Sequence, residues 1–230
     1  MCGRFTLATP TDILLDLFDI QGDQSVATPR YNIAPTQPVS SVRLVDERAG
    51  RELVELHWGL IPFWAKDPDI GSRMINARAE SVAEKPAFRA AFKRRRCLIP
   101  ADGFYEWQKR DGAKQPYYFR LVEERPMALA GLWEHWESGD GSVVESCTII
   151  TTTANDLVLP VHGRMPAILP EADHELWLDP AVDDRGALEA VLGPYDATAM
   201  TGYPVSTYVN SPRNEGPECI APLEEQHELL

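Results

Sequence analysis

Residues 97–122, CLIPADGFYEWQKRDGAKQPYYFRLV, carry the pattern that decides the fold of this 230-residue chain. Aromatic and apolar residues dominate the stretch on both sides of RDGAK (110–114), and such runs bounded by turn residues are typical of strands. The Asp-Gly pair within RDGAK favours a tight hairpin turn. We therefore expect two or three strands here, with a hairpin at RDGAK.

Similar patterns lie on both sides of this stretch. Alternating apolar and polar residues predict further strands in YNIAPTQPVSSVRLV (31–45), RELVELHWG (51–59), MALAGLWEHW (127–136) and VVESCTIITT (143–152). A turn is predicted at DERAG (46–50), between the first two of these strands. PFWAKDPDIGS (62–72) is rich in Pro, Gly and Asp and is predicted to be a loop, although it contains Phe63 and Trp64.

Helices are predicted at four places. The first is capped by Thr9 and runs to about Ile20, because Pro10 and Asp12 suit a first helical turn. The others are 86–94, PEADHELWLD (170–179) and RGALEAVLG (185–193). Without a linker or an internal repeat, the pattern predicts an α+β chain, mainly β, with one domain over residues 1–222 and a frayed tail at 223–230.

Composition and charge exclude several classes of protein. The chain lacks a run of eighteen apolar residues and a signal-peptide pattern, so we expect a cytoplasmic protein that does not enter membranes. Its four cysteines and five histidines show no metal-binding spacing, and we expect neither a metal nor a cofactor.

The net charge of −13 argues against an indiscriminate nucleic-acid binder, but the charge is unevenly distributed. Residues 1–120 carry 18 Lys and Arg against 15 Asp and Glu, whereas residues 121–230 carry 4 against 20. Arg73, Arg78, Arg89 and KRRR (93–96) concentrate positive charge, which predicts either a binding surface or a solvated helix face.

The first five residues, MCGRF, place a cysteine behind the initiator methionine. Removal of Met1 would leave Cys2 with a thiol and an α-amine on adjacent carbons, both partly deprotonated near neutral pH. A 1,2-aminothiol condenses with an aldehyde to an imine, which the thiol closes to a thiazolidine. Cys2 is therefore a candidate nucleophile, although a cysteine near a terminus can also be incidental.

Candidate acid–base and orienting groups lie in three other motifs. Glu106 stands between aromatic residues in DGFYEW, where an apolar setting would raise its pKa; an outward strand position is the alternative. His162 lies beside Arg164 in the Pro-bounded PVHGRMP. Asn76 in INARAE would share one face with Arg78 and Glu80 if the segment is extended, or would cap a helix.

Taken together, the motifs resemble the SRAP family of SOS-response-associated peptidases or abasic-site processing proteins. They occur in family order from residue 2 to about residue 222: MCGRF, RYNIAPTQ, WGLIPFWAKDP, INARAES, CLIPADGFYEW, VHGRMP and VNSPRNEGPECI. The resemblance implies a barrel-like antiparallel sheet core with peripheral helices. It also implies a monomeric sensor of abasic sites in single-stranded DNA that forms a covalent crosslink, with hydrolase- or lyase-like chemistry that includes removal of Met1.

The resemblance also assigns roles to individual residues. Cys2 matches the crosslinking nucleophile, Asn76 the residue that orients it, Glu106 the catalytic acid and base, and His162 the histidine that assists ring opening and crosslink reversal. A cationic groove would contact phosphates through Arg4, Arg73, Arg78 and Arg164. Phe63 and Trp64 would stack on the bases that flank the lesion.

Two rival functions fit parts of the sequence. Class II glutamine amidotransferases also begin with a Cys-Gly pair and use the α-amine as a base, but an apolar strand usually follows, whereas Arg4 follows here. A noncatalytic single-stranded DNA binder would use the basic groove and leave Cys2 idle.

Overall fold

A computed structural model describes residues 2–21, 28–46, 50–110 and 112–223. Residues 47–49 of the predicted DERAG turn, Asp111 of the hairpin turn and residues 224–230 of the predicted tail lie outside this part. The described strands are β1 (Phe5–Leu7), β2 (Arg30–Ile33), β3 (Pro38–Asp46), β4 (Gly50–Trp58), β5 (Asn76–Arg78), β6 (Arg96–Ala101), β7 (Gly103–Arg110), β8 (Ala113–Leu121), β9 (Met127–Glu137), β10 (Val143–Thr153), β11 (Arg164–Pro166), β12 (Ile168–Leu169) and β13 (Met200–Pro204).

Helices are short and peripheral to these strands. The α-helices are α1 (Thr11–Leu17), α2 (Arg89–Arg94), α3 (His174–Leu178) and α4 (Arg185–Ala190). Short 3-10 helices lie at Pro68–Arg73, Ala79–Ser81, Glu171–Asp173, Ala197–Ala199, Thr207–Asn210 and Pro217–Cys219. Among the described residues, none of these helices has the length and apolar character needed to cross a membrane.

Five strands close into a barrel in the order β4-β3-β6-β9-β10, and β10 returns to pair with β4. The neighbouring pairs are antiparallel except β4 and β10, which run parallel through Ser146 opposite His57 and Cys147 opposite Trp58. The predicted mainly β, barrel-like fold is confirmed. The sequence analysis did not predict the parallel pairing of β4 with β10, because side-chain alternation within a strand does not specify the direction of its partner.

A second sheet has the order β13-β8-β7-β1-β2. Its β7 and β8 form the predicted hairpin, with Arg110 opposite Ala113. The rings of Phe5 in β1 and Trp58 of the barrel pack edge to face with centroids 5.2 Å apart, and both side chains are buried. Burial of a side chain such as Phe5 stabilises the fold by about 1.5–3 kcal/mol. Contacts of this kind join the two sheets around one hydrophobic core.

The first helix differs from its prediction at both ends. Thr9 does not cap it; its hydroxyl donates instead to Asp102 (2.6 Å), just before β7, and Pro10 holds the cap position. The helix ends at Leu17 rather than near Ile20, because Asp19 takes a φ of 50° and Ile20 forms a bridge with Arg51. The other three predicted helices are confirmed as α2, α3 and α4, each slightly shorter than its sequence pattern.

Candidate functional site

The N-terminal segment is positioned by the pairing of β1 with β7. Phe5 lies opposite Phe104, and the amide of Tyr105 donates to the carbonyl oxygen of Arg4 (2.9 Å). Since the two strands are antiparallel, the residues before Arg4 run alongside those after Tyr105. Cys2 is thereby brought beside Glu106, and its side chain is fully buried.

The Cys2 thiol has an environment that keeps it protonated. Burial raises its pKa to about 12, and the charge of Glu106 acts in the same direction. A backbone amide, that of Arg4, donates to the sulfur and partly opposes this effect. A thiol of this kind is neutral at pH 7 and needs a nearby base before it can act as a nucleophile.

Glu106 is a buried carboxyl group beside that thiol. It alternates with Tyr105 and Trp107 along β7 and so shares a face with the buried Phe104. Burial raises the pKa of Glu106, whereas the charge of His162 lowers it. Oε1 of Glu106 lies 3.7 Å from Nδ1 of His162. The acid–base pair predicted from two distant motifs is thus brought together, and the outward strand position for Glu106 is wrong.

His162 lies in a loop that is fixed at several points. The amide of Arg164 donates to Nδ1 (3.0 Å), and the carbonyl oxygen of Arg164 is also 3.0 Å from this atom. The amide of His162 donates to Val158, and Gln108 on the Glu106 strand donates to Pro160 (3.1 Å). This loop therefore sets the imidazole at a fixed distance from Glu106.

Asn76 begins β5, so the extended alternative for INARAE is confirmed and the helix start is wrong. It pairs in parallel with Ile149 of β10, and the next residue, Ala77, is buried. Nδ2 of Asn76 donates to the carbonyl oxygen of Ile75 (2.9 Å), while Oδ1 is buried without a hydrogen-bond partner in the described part of the chain. An unpaired buried acceptor of this kind is costly and suits a site that receives a donor.

Arg164 is held by protein groups. Its guanidinium makes a bidentate pair with Glu80 (2.5 and 3.0 Å) and donates to the carbonyl oxygen of Thr151 (2.6 Å). This contact lowers the pKa of Glu80. Glu80 itself lies in the 3-10 segment after β5, not on the strand face expected from alternation.

Arg4 is also enclosed. Its guanidinium donates to Oδ1 of Asn32 (2.6 Å) and to the carbonyl oxygen of Val209 (2.8 Å), and it lies 5.8 Å from the ring centre of Trp107. Burial lowers the pKa of Arg4. The single groove of four arginines expected from the sequence is therefore divided into two enclosed members and two exposed ones. A DNA-binding role for Arg4 and Arg164 stays a prediction.

Arg73 and Arg78 are the two exposed members, and neither side chain forms a hydrogen bond or ion pair within the described residues. Two exposed aromatic residues lie in the loop before Arg73: Phe63 is 57% exposed and Trp64 is 50% exposed. Their loop is tied to the barrel by Trp136, whose indole donates to the carbonyl oxygen of Ala65 (2.7 Å). The fixed loop thus presents two apolar rings to solvent.

Two glycines close the far side of this loop. Gly59 follows β4 with a φ of +145°, and Gly71 lies against it. A Cβ at Gly71 would stand 2.6 Å from the carbonyl oxygen of Gly59, so the two chain segments can approach only because both residues lack a side chain. Within the described ranges, His, Cys, Asp and Glu side chains form no group of three or more suited to a metal ion.

Comparison with known proteins identifies the family of the chain. Residues 1–212 match the SRAP (SOS response associated peptidase) family. The chain belongs to the SRAP family. Its relatives include abasic site processing protein YoqW of Bacillus subtilis (strain 168), which is 44% identical over 225 residues, with 96% of this chain and 99% of the relative covered.

A vertebrate SRAP relative and a solved structure extend this comparison. Abasic site processing protein HMCES of Xenopus tropicalis is 34% identical over 234 residues, and the match covers 88% of this chain and 68% of that protein. A crystal structure of a protein from Bacteroides thetaiotaomicron superposes with a TM-score of 0.87 at 27% identity, covering 97% of this chain and 100% of that one.

The sequence analysis missed Asn32 and Gln108 at this SRAP site, and it placed Glu80 on a strand face without assigning it a partner. Asn32 and Glu80 hold the two enclosed arginines, and Gln108 ties the strand of Glu106 to the loop of His162. Asn32 and Glu80 stand inside family motifs, RYNIAPTQ and INARAES, which could have marked them. Gln108 carried no such signal, because its partner is a backbone carbonyl oxygen far along the chain.

Proposed function

We propose that this chain processes abasic sites in single-stranded DNA by forming a covalent thiazolidine through Cys2. The proposal rests above all on one observation: a buried thiol lies beside Glu106, whose carboxylate is 3.7 Å from His162. The names of the relatives, abasic site processing proteins, indicate the same class of substrate.

Release of Met1 is the first step. Water adds across the Met1–Cys2 peptide bond, methionine leaves, and Cys2 gains a free α-amine. The family description as a peptidase supports self-processing of this bond. Without this step the nitrogen of Cys2 is an amide, which does not form an imine.

The crosslinking steps follow from the chemistry of an aminothiol. The ring-opened deoxyribose of an abasic site exposes an aldehyde at C1′. The α-amine adds to this carbon, and loss of one water gives an imine. The sulfur then forms a bond to the same carbon as the thiol proton passes to the nitrogen. The sum is one aldehyde and one aminothiol converted to a thiazolidine and water.

Three side chains have distinct tasks in these steps. Glu106 accepts the proton of the neutral thiol and returns it to the nitrogen, and its raised pKa brings its protonation equilibrium closer to neutral pH. Asn76 receives an N–H of the α-amine on its buried Oδ1 and thereby orients it. His162 exchanges a proton with the sugar during ring opening and reversal.

DNA is recognised by exposed groups around this centre. Arg73 and Arg78 contact phosphates, and Phe63 and Trp64 stack on flanking bases at about 1–3 kcal/mol per base. These contacts carry little selectivity for damage. Selectivity comes from the aldehyde, because an intact nucleotide has none.

Intact-mass analysis after incubation with an abasic single-stranded oligonucleotide tests the proposal. We expect the protein to lack Met1 and to gain the oligonucleotide mass minus one water, in an adduct that survives denaturant. Cys2→Ala is expected to lose the adduct and keep salt-sensitive binding, since phosphate contacts do not involve the thiol.

Controls separate the rival functions. An undamaged oligonucleotide of the same sequence should give no adduct. Glutamine hydrolysis without an adduct would instead support an amidotransferase, and reversible retention of DNA alone would support a noncatalytic binder. An adduct of equal yield in Cys2→Ala would remove Cys2 from the mechanism.

A further inference from the structure

A second basic surface lies outside the site described above. A groove of about 820 Å³ lies between α2 and α4, and the basic residues that line it are Arg89, Lys93, Arg94 and Arg185. Apolar side chains including Ala90, Val182 and Leu188 form part of its lining. Four basic residues therefore surround one groove in a chain whose net charge is −13.

The cations on the α4 side of the groove are neutralised by neighbours. Arg185 pairs with Glu84 (2.9 Å) and Glu189 (2.8 Å). Asp183 adds a negative charge to the same side of the lining. This wall is therefore not the one that attracts an anion.

The wall formed by α2 is different. Arg89 and Lys93 are exposed and form no side-chain hydrogen bond or ion pair within the described residues, and Arg94 donates only to the carbonyl oxygen of Pro180 (2.5 Å). Lys85, one turn earlier, is likewise exposed and unpaired in this part of the chain. Residues four apart on a helix share a face at a spacing of about 6 Å. Arg89 and Lys93 are spaced in this way on α2, and Lys85, whose carbonyl oxygen accepts from the amide of Arg89 (2.9 Å), lies just before the helix. Such a set of free cations suits a polyanion better than a single phosphate.

This set of cations continues from the edge of the candidate site. Arg78 ends β5 at that edge, and the chain then passes through the 3-10 segment Ala79–Ser81 and further turns into α2. A chain rises by at most about 3.3–3.6 Å per residue, so Arg78 and Arg89 lie no more than about 40 Å apart. A nucleic-acid strand of about 20 nucleotides can cover that distance at 3.4 Å each.

We propose that the groove between α2 and α4 binds the phosphate backbone of the single strand several nucleotides away from the position bound at Cys2. This inference rests on the proposed function for its choice of polyanion. Lys85, Arg89 and Lys93 contact successive phosphates, and the apolar lining accommodates sugars or bases. The groove increases the number of nucleotides that the protein contacts and leaves the chemistry at Cys2 unchanged.

The test measures binding of undamaged single-stranded DNA, so it does not depend on any crosslink. The affinities of the wild-type protein and of the double variant Arg89→Gln with Lys93→Gln are compared for oligonucleotides of about 6 and about 20 nucleotides across a salt series. For the longer strand we expect the slope of log affinity against log salt to become shallower by about 1.4, corresponding to two lost phosphate contacts. The short strand covers only about 20 Å at 3.4 Å per nucleotide and cannot lie along both surfaces in full, so we expect its slope to change by less.

A matched variant controls for net charge. Lys109→Gln with Lys114→Gln removes two exposed cations from the β7–β8 hairpin and should leave the slope unchanged. Equal losses in both double variants, or an unchanged slope in the groove variant, would overturn the proposal. A poly-glutamate peptide that binds wild type but not the groove variant, while DNA binding stays constant, would assign the groove to an acidic protein and also overturn it.

Failure of the proposed function gives a different result. An absent adduct with abasic DNA rejects the thiazolidine chemistry, whereas the length-dependent salt slope with undamaged DNA is measured in either case. Because Arg89 and Lys93 are exposed, we expect both double variants to unfold at the wild-type temperature.

Discussion

Oε1 of Glu106 lies 3.7 Å from Nδ1 of His162, although Glu106 is in β7, His162 is in the loop before β11, and their motifs are more than fifty positions apart. Burial raises the pKa of Glu106, and the charge of His162 opposes this shift. This relationship makes the pH dependence of the proposed crosslinking a direct test of their roles.

The acid limb of the crosslinking rate is expected to follow ionisation of Glu106. The rate should fall as pH drops through the raised pKa of this group, because the protonated carboxyl cannot accept the thiol proton. His162→Gln removes the charge that lowers this pKa, so the limb should move to higher pH. Glu106→Gln should lose the limb and slow single-turnover crosslinking by about 10² to 10⁴-fold. A limb at the same pH in wild type and His162→Gln would contradict the coupling.

Glu80 is expected to compete with DNA phosphate for Arg164. Glu80→Gln removes a partly exposed ion pair worth about 1 kcal/mol or less, so stability should change little. The freed guanidinium should make the salt slope of single-stranded DNA binding steeper by about 0.7. Glu124→Gln, which breaks the exposed Arg120–Glu124 pair, is the matched control. An unchanged slope for Glu80→Gln would mean that Thr151 alone keeps Arg164 from DNA.

Gly71→Ala should destabilise the loop that presents Phe63 and Trp64. The added Cβ would lie 2.6 Å from the carbonyl oxygen of Gly59, and backbone at both ends limits relief of the overlap. Urea unfolding should show a loss of about 1–3 kcal/mol, typical of overpacking. Gly139→Ala, where no atom lies within 4 Å of the new Cβ, should be neutral. Equal stability of the two variants would show that the loop moves apart without cost.

His174 should make the fold less stable in acid. Its ring is buried and stacked on Phe18, Nδ1 has no hydrogen-bond partner among the described residues, and burial lowers its pKa below the ordinary 6.5. Between the lowered folded-state pKa and 6.5 the unfolded chain binds more protons, so stability falls as pH drops through this window. The slope from this group is at most about 1.4 kcal/mol per pH unit.

The comparison of His174→Phe with wild type measures this contribution. The difference in unfolding free energy between pH 7.5 and 5.5 should be smaller in the variant, which keeps an aromatic ring against Phe18. His135→Gln at an exposed position serves as the control. A wild-type pH dependence that survives in His174→Phe would assign it to other groups.

Features specified by neighbouring residues were predictable from the sequence. The β7–β8 hairpin follows from alternation around RDGAK, and α3 and α4 follow from their own apolar spacing. Identities of the candidate site residues came from short motifs in family order. The strand position of Asn76 was one of two alternatives that local pattern could not separate, and pairing with β10 decides it.

Features that depend on distant partners were not predictable. Thr9 has the chemistry of a helix cap, whose oxygen accepts from a backbone amide, but in the structure its hydroxyl donates to Asp102. Arg4 and Arg164 looked like free cations because Asn32 and Glu80, which hold them, are remote in sequence. Parallel closure of the barrel between β4 and β10 likewise leaves no mark on either strand alone.

The division of the site between two sheets has a mechanical consequence. Glu106 moves with β7, whereas Asn76 and Arg164 move with β10, to which both of their strands are paired. A small slide of one sheet over the other would move Glu106 relative to Asn76 while the ladders within each sheet stayed intact, and the hydrogen bond from Gln108 to Pro160 opposes such a slide. The reactivity of the site therefore depends on how tightly the two sheets pack against each other. We expect it to fall at denaturant concentrations below those that unfold the chain.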